Sequence, residues 1–257
     1  MEQRSPAALV VAHPGHELRL HGWLERATPL VFVITDGSAR SQSRIPSSRV
    51  VIDAIGGKPG SVFGRFADAD LYAAILRCDA DRVAAATREL SDALLSNGIE
   101  QVVSDAWENY NPAHDLCRIM TALAVDRART MSARKIAFYD YAVVGATGAT
   151  DAACEIVIDL DDDALARKLA AACAFDALRN DVEEQLRDGS ERFRIECLRP
   201  ASVDVILPQS AERPAYELVG EARVAAGRYA TVLRYHEHFV PFVKALAAKF
   251  SGDDARR

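Results

Sequence analysis

Apolar positions fall in two patterns along the chain. Residues 7–12 (AALVVA) and 29–35 (PLVFVIT) form continuous apolar runs, too short for helices and rich in β-branched residues. Strands buried on both faces of a parallel sheet read this way. Between them, residues 17–27 (ELRLHGWLERA) set Leu18, His21, Trp23 and Leu24 among charges, which predicts an amphipathic crossover and hence a βαβ unit. Beyond it the pattern predicts a short helix over 50–55 ended by Gly56-Gly57 and a brief strand over 61–64. A helix over 79–96 places Val83, Leu90, Leu94 and Leu95 on one side and closes at Asn97-Gly98. A strand over 101–104, a polar loop over 105–112, a helix over 113–129 and a strand over 135–139 complete the alternation. The fold class that follows is α/β, a Rossmann-like three-layer sandwich with a mostly parallel sheet. The pattern then changes. Residues 160–186 read as a long acidic, alanine-rich helical stretch, 200–214 as a Pro-punctuated region, and 223–250 as a last helix. The expected organisation is an α/β core over 1–145 with a mainly helical C-terminal part, 146–257, packed on the same domain.

Composition narrows the partners. The 257 residues include 31 Lys and Arg against 37 Asp and Glu, a formal net charge of −6, so no basic excess exists to follow a phosphate backbone or an anionic membrane. No apolar run approaches the roughly 20 residues that span a bilayer, and the N-terminus lacks the pattern of a signal peptide. A small-molecule substrate is expected, with no nucleic acid, no membrane insertion and a cytoplasmic location; a homo-oligomer stays open. Five cysteines, an odd and widely spaced set without a C-x-x-C pair, disfavour both disulfides and zinc ribbons.

Six histidines occur, five of them crowded into two short stretches. Ligands of open parallel sheets bind beyond the carboxyl ends of the strands. Three polar segments fall there: 13–17 (HPGHE), 35–37 (TDG) and 105–115 (DAWENYNPAHD). Their convergence brings His13, His16 and His114 together, and three neutral imidazoles suffice for a catalytic zinc ion that keeps one position for water. The segment from His16 to His21 is not the H-E-x-x-H helix of metalloproteases, because its second histidine comes one residue late and is rotated by about 100°. His21 is expected at the core boundary. His236 and His238, two apart on the last helix, face nearly opposite ways and belong to the surface or to packing. No G-x-G-x-x-G, P-loop or G-x-S-x-G motif is present.

At these residues the chain resembles the LmbE-like, or PIG-L, family of zinc-dependent sugar N-deacetylases, over about its first 140 residues. The family's strand followed by Ala-His-Pro-Asp-Asp-Glu, its Thr-Asp-Gly and its later His-Pro-Asp-His appear here as 12–17 (AHPGHE), 35–37 (TDG) and 111–114 (NPAH). The resemblance implies that His13 and His114 are zinc ligands and that His16 stands where the family has its aspartate ligand. Zinc, or another divalent metal, is the implied cofactor. Gly15 falls where the family places its general base, and Asn111 replaces a histidine that assists the reacting amide. Asn111 can donate to an oxyanion but cannot transfer a proton.

Two functions follow as expectations. One is a metal-dependent hydrolase that removes an acyl group from the amide nitrogen of an amino sugar or related small molecule. Its proton acceptor is then relocated to Glu17, Asp36, Asp105 or Asp115, with Asp105 and Asp36 favoured because each ends a strand; Glu17 alternatively orients a histidine. The other is a relative without deacetylation that acts as a carbohydrate-binding or regulatory protein in glycan or secondary metabolism, with Trp107, Tyr110 and Asn111 as a sugar platform. In either case Arg40, Arg44, Arg49 and Arg65 lie in a segment able to cover the crevice and neutralise a substrate anion, with Arg44 the expected contact.

Overall fold

A computed structural model describes residues 5–38, 42–144, 153–187, 189–204, 207 and 212–251. Seven strands form one sheet in the order β3-β2-β1-β4-β5-β7-β6. They are β1 (Ala7–Val11), β2 (Leu30–Thr35), β3 (Lys58–Phe66), β4 (Gln101–Asp105), β5 (Ala137–Tyr141), β6 (Ile156–Asp159) and β7 (Ile195–Pro200). The first five are parallel, in register from Ala8↔Leu30 across β1–β2 and from Ala7↔Gln101 across β1–β4. The last two run antiparallel at one edge.

The continuous apolar runs are explained by this burial. Along β1 and the residue after it, the side chains of Ala8, Val10 and Ala12 enter one core and those of Ala7, Leu9 and Val11 the other. Each face therefore needs apolar residues at every second position, and two such faces leave no polar position. One face is covered by α4 (Asp81–Ser96), α5 (Pro112–Ser132) and α9 (Val240–Ser251), through residues such as Leu90, Leu116 and Leu246. The other is covered by α1 (His21–Ala27), α2 (Ile45–Ala54) and α6 (Asp162–Ala174), through Trp23, Ile52 and Leu165. Three further helices, α3 (Asp68–Leu76), α7 (Arg179–Leu186) and α8 (Ala215–Ala225), complete the described elements. The result is the expected three-layer α/β architecture.

Several boundaries differ from the pattern. The first crossover opens with a 3-10 turn, His16–Leu20, before α1. The stretch 160–186 is broken at the buried Phe175, whose backbone (φ −81°, ψ 84°) ends α6 and starts a 3-10 turn, Asp176–Leu178. The expected helix over 223–250 is two helices, α8 and α9, parted by Gly227 in the left-handed region (φ 69°) and a π turn, Tyr235–Phe239. Periodicity also passed over α3, β6 and β7. Antiparallel pairing of β6 with β7 brings Cys154 and Cys197 to a Cα–Cα distance of 5.6 Å, and they form a disulfide. The expectation of no disulfide is thereby corrected: spacing in the sequence cannot register a pairing between two unrecognised strands.

Candidate functional site

The strand order reverses beside β1, whose neighbours are β2 and β4, and such switch points open a crevice beyond the strand ends. His13 and His16 follow β1 there, Asp105 closes β4, and His114 lies in the first turn of α5. The polar loop before α5 ends at Asn111, whose Oδ1 caps the helix by accepting from the Ala113 amide at 2.9 Å, with Pro112 in the first turn. The three histidine rings adjoin, with centroid separations of 5.3 Å (13–16), 5.2 Å (13–114) and 4.6 Å (16–114).

Their tautomers follow from their partners. Thr35 donates its hydroxyl hydrogen to the Ala12 carbonyl (3.0 Å), so it accepts from His13 Nδ1 (2.7 Å). Asp68, at the start of α3, stands 3.2 Å from the same nitrogen. Both neighbours are acceptors, which places the hydrogen on Nδ1 and a lone pair on His13 Nε2. The Asn111 amide nitrogen, 3.4 Å away, is oriented to donate to that lone pair. His16 Nδ1 donates to Asp105 Oδ2 at 2.8 Å, again leaving Nε2 as the acceptor. His114 Nδ1 is buried without a hydrogen-bond partner.

Burial lowers the pKa of His13, assisted by His16 and Arg44 and opposed by Asp68. Burial also carries His114 well below the ordinary histidine range, with the two other rings adding to the effect. Its position at a helix N-terminus disfavours the imidazolium further. Both rings are neutral at physiological pH.

The four carboxylates expected to take a proton are differently placed. Asp105 is fully buried, and its oxygens accept from the Ala12 amide (2.8 Å), His16 and the Tyr141 hydroxyl (3.0 Å). Burial pushes the Asp105 carboxyl up, but the His16 and His114 rings and the Ala12 amide outweigh it and hold it below the ordinary range. Glu17, also fully buried, accepts from the Gly15 amide (2.7 Å) and the Ser48 hydroxyl. It braces the turn rather than touching a histidine ring. Asp36 accepts from the Ser38 amide at 2.9 Å, an Asx turn of its own loop. Asp115 Oδ1 accepts from the Glu108 and Asn109 amides at 3.0 and 3.2 Å, while its Oδ2 is buried without a hydrogen-bond partner. Burial pushes its carboxyl up to about 7.

Around the rings, Tyr110 is half exposed with its ring 6.2 Å from that of His114. Trp107 instead turns inward: its indole donates to Asn109 Oδ1 (2.9 Å) and its ring packs edge-on against Phe239 at 5.8 Å. Arg44 donates to the Gly37 carbonyl at 3.1 Å, close enough to His13 to affect its titration. Arg49 lies over the Phe63 ring and Arg65 pairs with Glu89, both directed elsewhere; Arg40 lies outside the described residues. His21 is buried 3.9 Å from Glu25, His236 is exposed, and His238 Nδ1 accepts from the Arg234 amide at 3.0 Å.

Over Gly15 the space is taken. A Cβ there would lie 2.3 Å from Leu178 Cδ1 and 3.5 Å from Phe175 Cζ, and its φ of 103° suits glycine. Sequence reasoning missed Asp68 and Tyr141 as neighbours of the histidines. A carboxylate opening a helix just after β3 was the available signal for Asp68; Tyr141 carried none.

Three imidazoles around one tetrahedral ion stand about 5 Å apart, centroid to centroid, given metal–nitrogen bonds near 2 Å. The observed spacings fit, as do the two carboxylates behind His13 and His16. The orientation of the rings is less convergent: among the described residues no group of three or more His, Cys, Asp or Glu side chains has its donor atoms arranged to hold a metal ion.

No family model matches the sequence, and no curated protein does. Solved structures do match. A conserved protein from Thermus thermophilus is similar with a TM-score of 0.54 and 16% identity, over 81% of this chain and 100% of that one. The likeness is one of fold. A pseudoaglycone deacetylase matches with a TM-score of 0.47 and 15% identity over 82% and 100% of the two chains. A deacetylase of teicoplanin biosynthesis matches at 0.46 and 12% over 76% and 97%. No helix among the described residues is long and apolar enough to cross a membrane.

Proposed function

We propose that the chain is a divergent LmbE-like protein that holds a divalent metal, zinc in the first instance, on His13, His16 and His114 and hydrolyses the amide of an acylated amino sugar or related small molecule. The observation that carries this reading is the packing of three histidines at the switch point, two of them with Nδ1 bound to an acceptor and Nε2 left as a lone pair. His114 Nδ1, buried without a partner, adds support as a nitrogen that a cation would satisfy. Zinc, when bound, lowers the pKa of its water towards about 7 and polarises an acyl oxygen.

The chain's own residues then have distinct tasks. Asp105 and Asp68 position the His16 and His13 rings and fix their tautomers. Asn111 offers an amide donor beside His13 for the acyl oxygen. Asp105 and Glu17 have both oxygens engaged, whereas Asp115 keeps one carboxyl oxygen without a hydrogen-bond partner. Tyr110 supplies an exposed aromatic face for a sugar ring.

A second reading, a carbohydrate-binding relative that has lost hydrolysis, is favoured by one observation. The side-chain space at Gly15 is filled by Leu178, and position 15 supplies no proton acceptor. Metal content and turnover of a panel of N-acyl amino sugars, compared between wild type and His114→Ala, separate the two. The hydrolase reading expects bound metal and turnover in the wild type, and loss of both in the variant. A metal-loaded wild type no faster than His114→Ala across the panel leaves the binding reading.

A further inference from the structure

Arg19 stands three residues beyond His16 in the 3-10 turn, with its carbonyl fixed by Lys168 Nζ at 2.7 Å. The side chain is half-buried, and among the described residues its guanidinium has neither a hydrogen bond nor an ion pair. Partial covering of an arginine costs hydration of its five donors and fixed charge, a cost that a bound oxyanion offsets. Its surroundings lie at the carboxyl ends of β4 and β5. Tyr141 closes β5 and contacts the His16 carbonyl through its hydroxyl at 3.1 Å; Glu108 follows β4. The Glu108 carboxylate is committed to the amides of Val143 and Val144, at 3.1 Å each. Arg192 is a second cation near enough to repel Arg19, which burial and this repulsion together render less basic than an ordinary arginine. Among the described residues the Arg19 side chain thus stands half-buried without a hydrogen-bond or ion-pair partner of its own, on the turn that carries His16.

We propose that Arg19 receives an anionic group, a carboxylate or a phosphate, of the ligand that enters the crevice. The site then selects an acidic derivative over its neutral counterpart. A planar guanidinium binds either oxyanion through paired, charge-assisted hydrogen bonds, which a neutral hydroxyl cannot match. The inference extends the function proposed above by naming a feature of the substrate, and it rests on the crevice being the ligand site.

Calorimetric titration of the full chain with inorganic phosphate, and separately with acetate, tests it both with metal bound and after chelation. Saturable binding of at least one anion is expected in both states, about tenfold weaker or worse in Arg19→Met, with partial retention in Arg19→Lys. Arg192→Ser is expected to weaken it less. Unchanged thermal unfolding of the Arg19 variants confirms that they remain folded, and a variant that unfolds is replaced by Arg19→Gln. Absence of saturable binding of both anions in wild type overturns the proposal, as does binding that survives Arg19→Met. Binding that disappears with His114→Ala or with chelation, and is indifferent to Arg19, moves the anion to the histidines. That result ends this inference while leaving the hydrolase reading standing.

Discussion

Removing the Asp105 carboxylate separates its two contributions, shape and charge. In Asp105→Ala the Ala12 amide and the His16 Nδ1–H lose their common acceptor, whereas the Tyr141 hydroxyl retains the His16 carbonyl at 3.1 Å. Two buried donors left unpaired at about 1–3 kcal/mol each amount to about 2–6 kcal/mol, a large share of the stability of a domain. Asp105→Asn behaves differently. Its amide oxygen can occupy the position of Oδ2 and keep both acceptor bonds, while its NH2 donates to the Tyr141 hydroxyl. The fold should lose about 1 kcal/mol or less, and His16 should keep its tautomer. The negative charge behind the ligand is gone, however, and affinity for zinc should fall about 10- to 100-fold. Urea denaturation of the chelated protein gives the first quantity, competition with a chromophoric chelator the second, and nitrogen NMR of the imidazoles reports the tautomer. Asp105→Ala as stable as wild type, or Asp105→Asn with undiminished zinc affinity, would refute the reasoning.

Other perturbations test separate parts of the structure. The Cys154–Cys197 bridge spans a sequence separation of 43, for which the chain-entropy relation gives about 4 kcal/mol. Cys197→Ser should therefore lower stability by up to that amount in chemical denaturation, and wild type denatured without reductant should show three reactive thiols, those of Cys78, Cys117 and Cys173; five would exclude the bridge. Gly15→Asp should be strained by its backbone and by contact with Leu178, at a cost of about 2–4 kcal/mol, and Leu178→Ala in the same chain should recover the packing part alone. Equal thermal stability of Gly15→Asp and wild type would contradict this. Asp115 holds its proton to about pH 7 when folded but releases it in the ordinary carboxylate range when unfolded. Between about pH 4 and 7 the unfolded chain binds fewer protons, so this group's contribution to stability falls as pH rises, by at most about 1.4 kcal/mol per unit. Asp115→Asn should flatten that fall in the metal-free protein, as urea midpoints across the range would reveal; an unchanged slope would count against it.

The parallel core and the histidine cluster were legible in the sequence for the same reason. Continuous apolar runs mark doubly covered strands, and polar residues placed at their ends are carried by the fold to one edge. His13, His16, Asp105 and His114 each sit within a few residues of a strand end or helix start. The partners that complete the arrangement come from far away: Asp68 from α3, Tyr141 from β5 and Leu178 from the turn after α6. No local period encodes such contacts. β6 and β7 escaped notice because short, half-buried strands of four and six residues, with Glu196 and Arg199 among their side chains, lack a continuous apolar run. Place in the chain alone marks Glu17, Asp36, Asp105 and Asp115 as proton acceptors. Their hydrogen-bond partners, invisible in sequence, decide which of them has an unoccupied oxygen.

Within β7, the fully buried side chain of Glu196 accepts from the amides of Gly22 and Trp23 at 2.9 and 2.8 Å and pairs with Lys168 at 2.9 Å. It thus supplies the acceptor that the opening turn of α1 has no side chain of its own to provide. The separation of 174 residues between Gly22 and Glu196 sets an order in time. During synthesis α1 emerges well before β7, and its opening amides stay unclamped until the segment that carries Glu196 has followed. Such a distant closure slows folding. A nascent chain stalled before Glu196 should carry a loosely held helix directly after the His16 turn, so the geometry of that turn is a property gained late in the life of each new molecule.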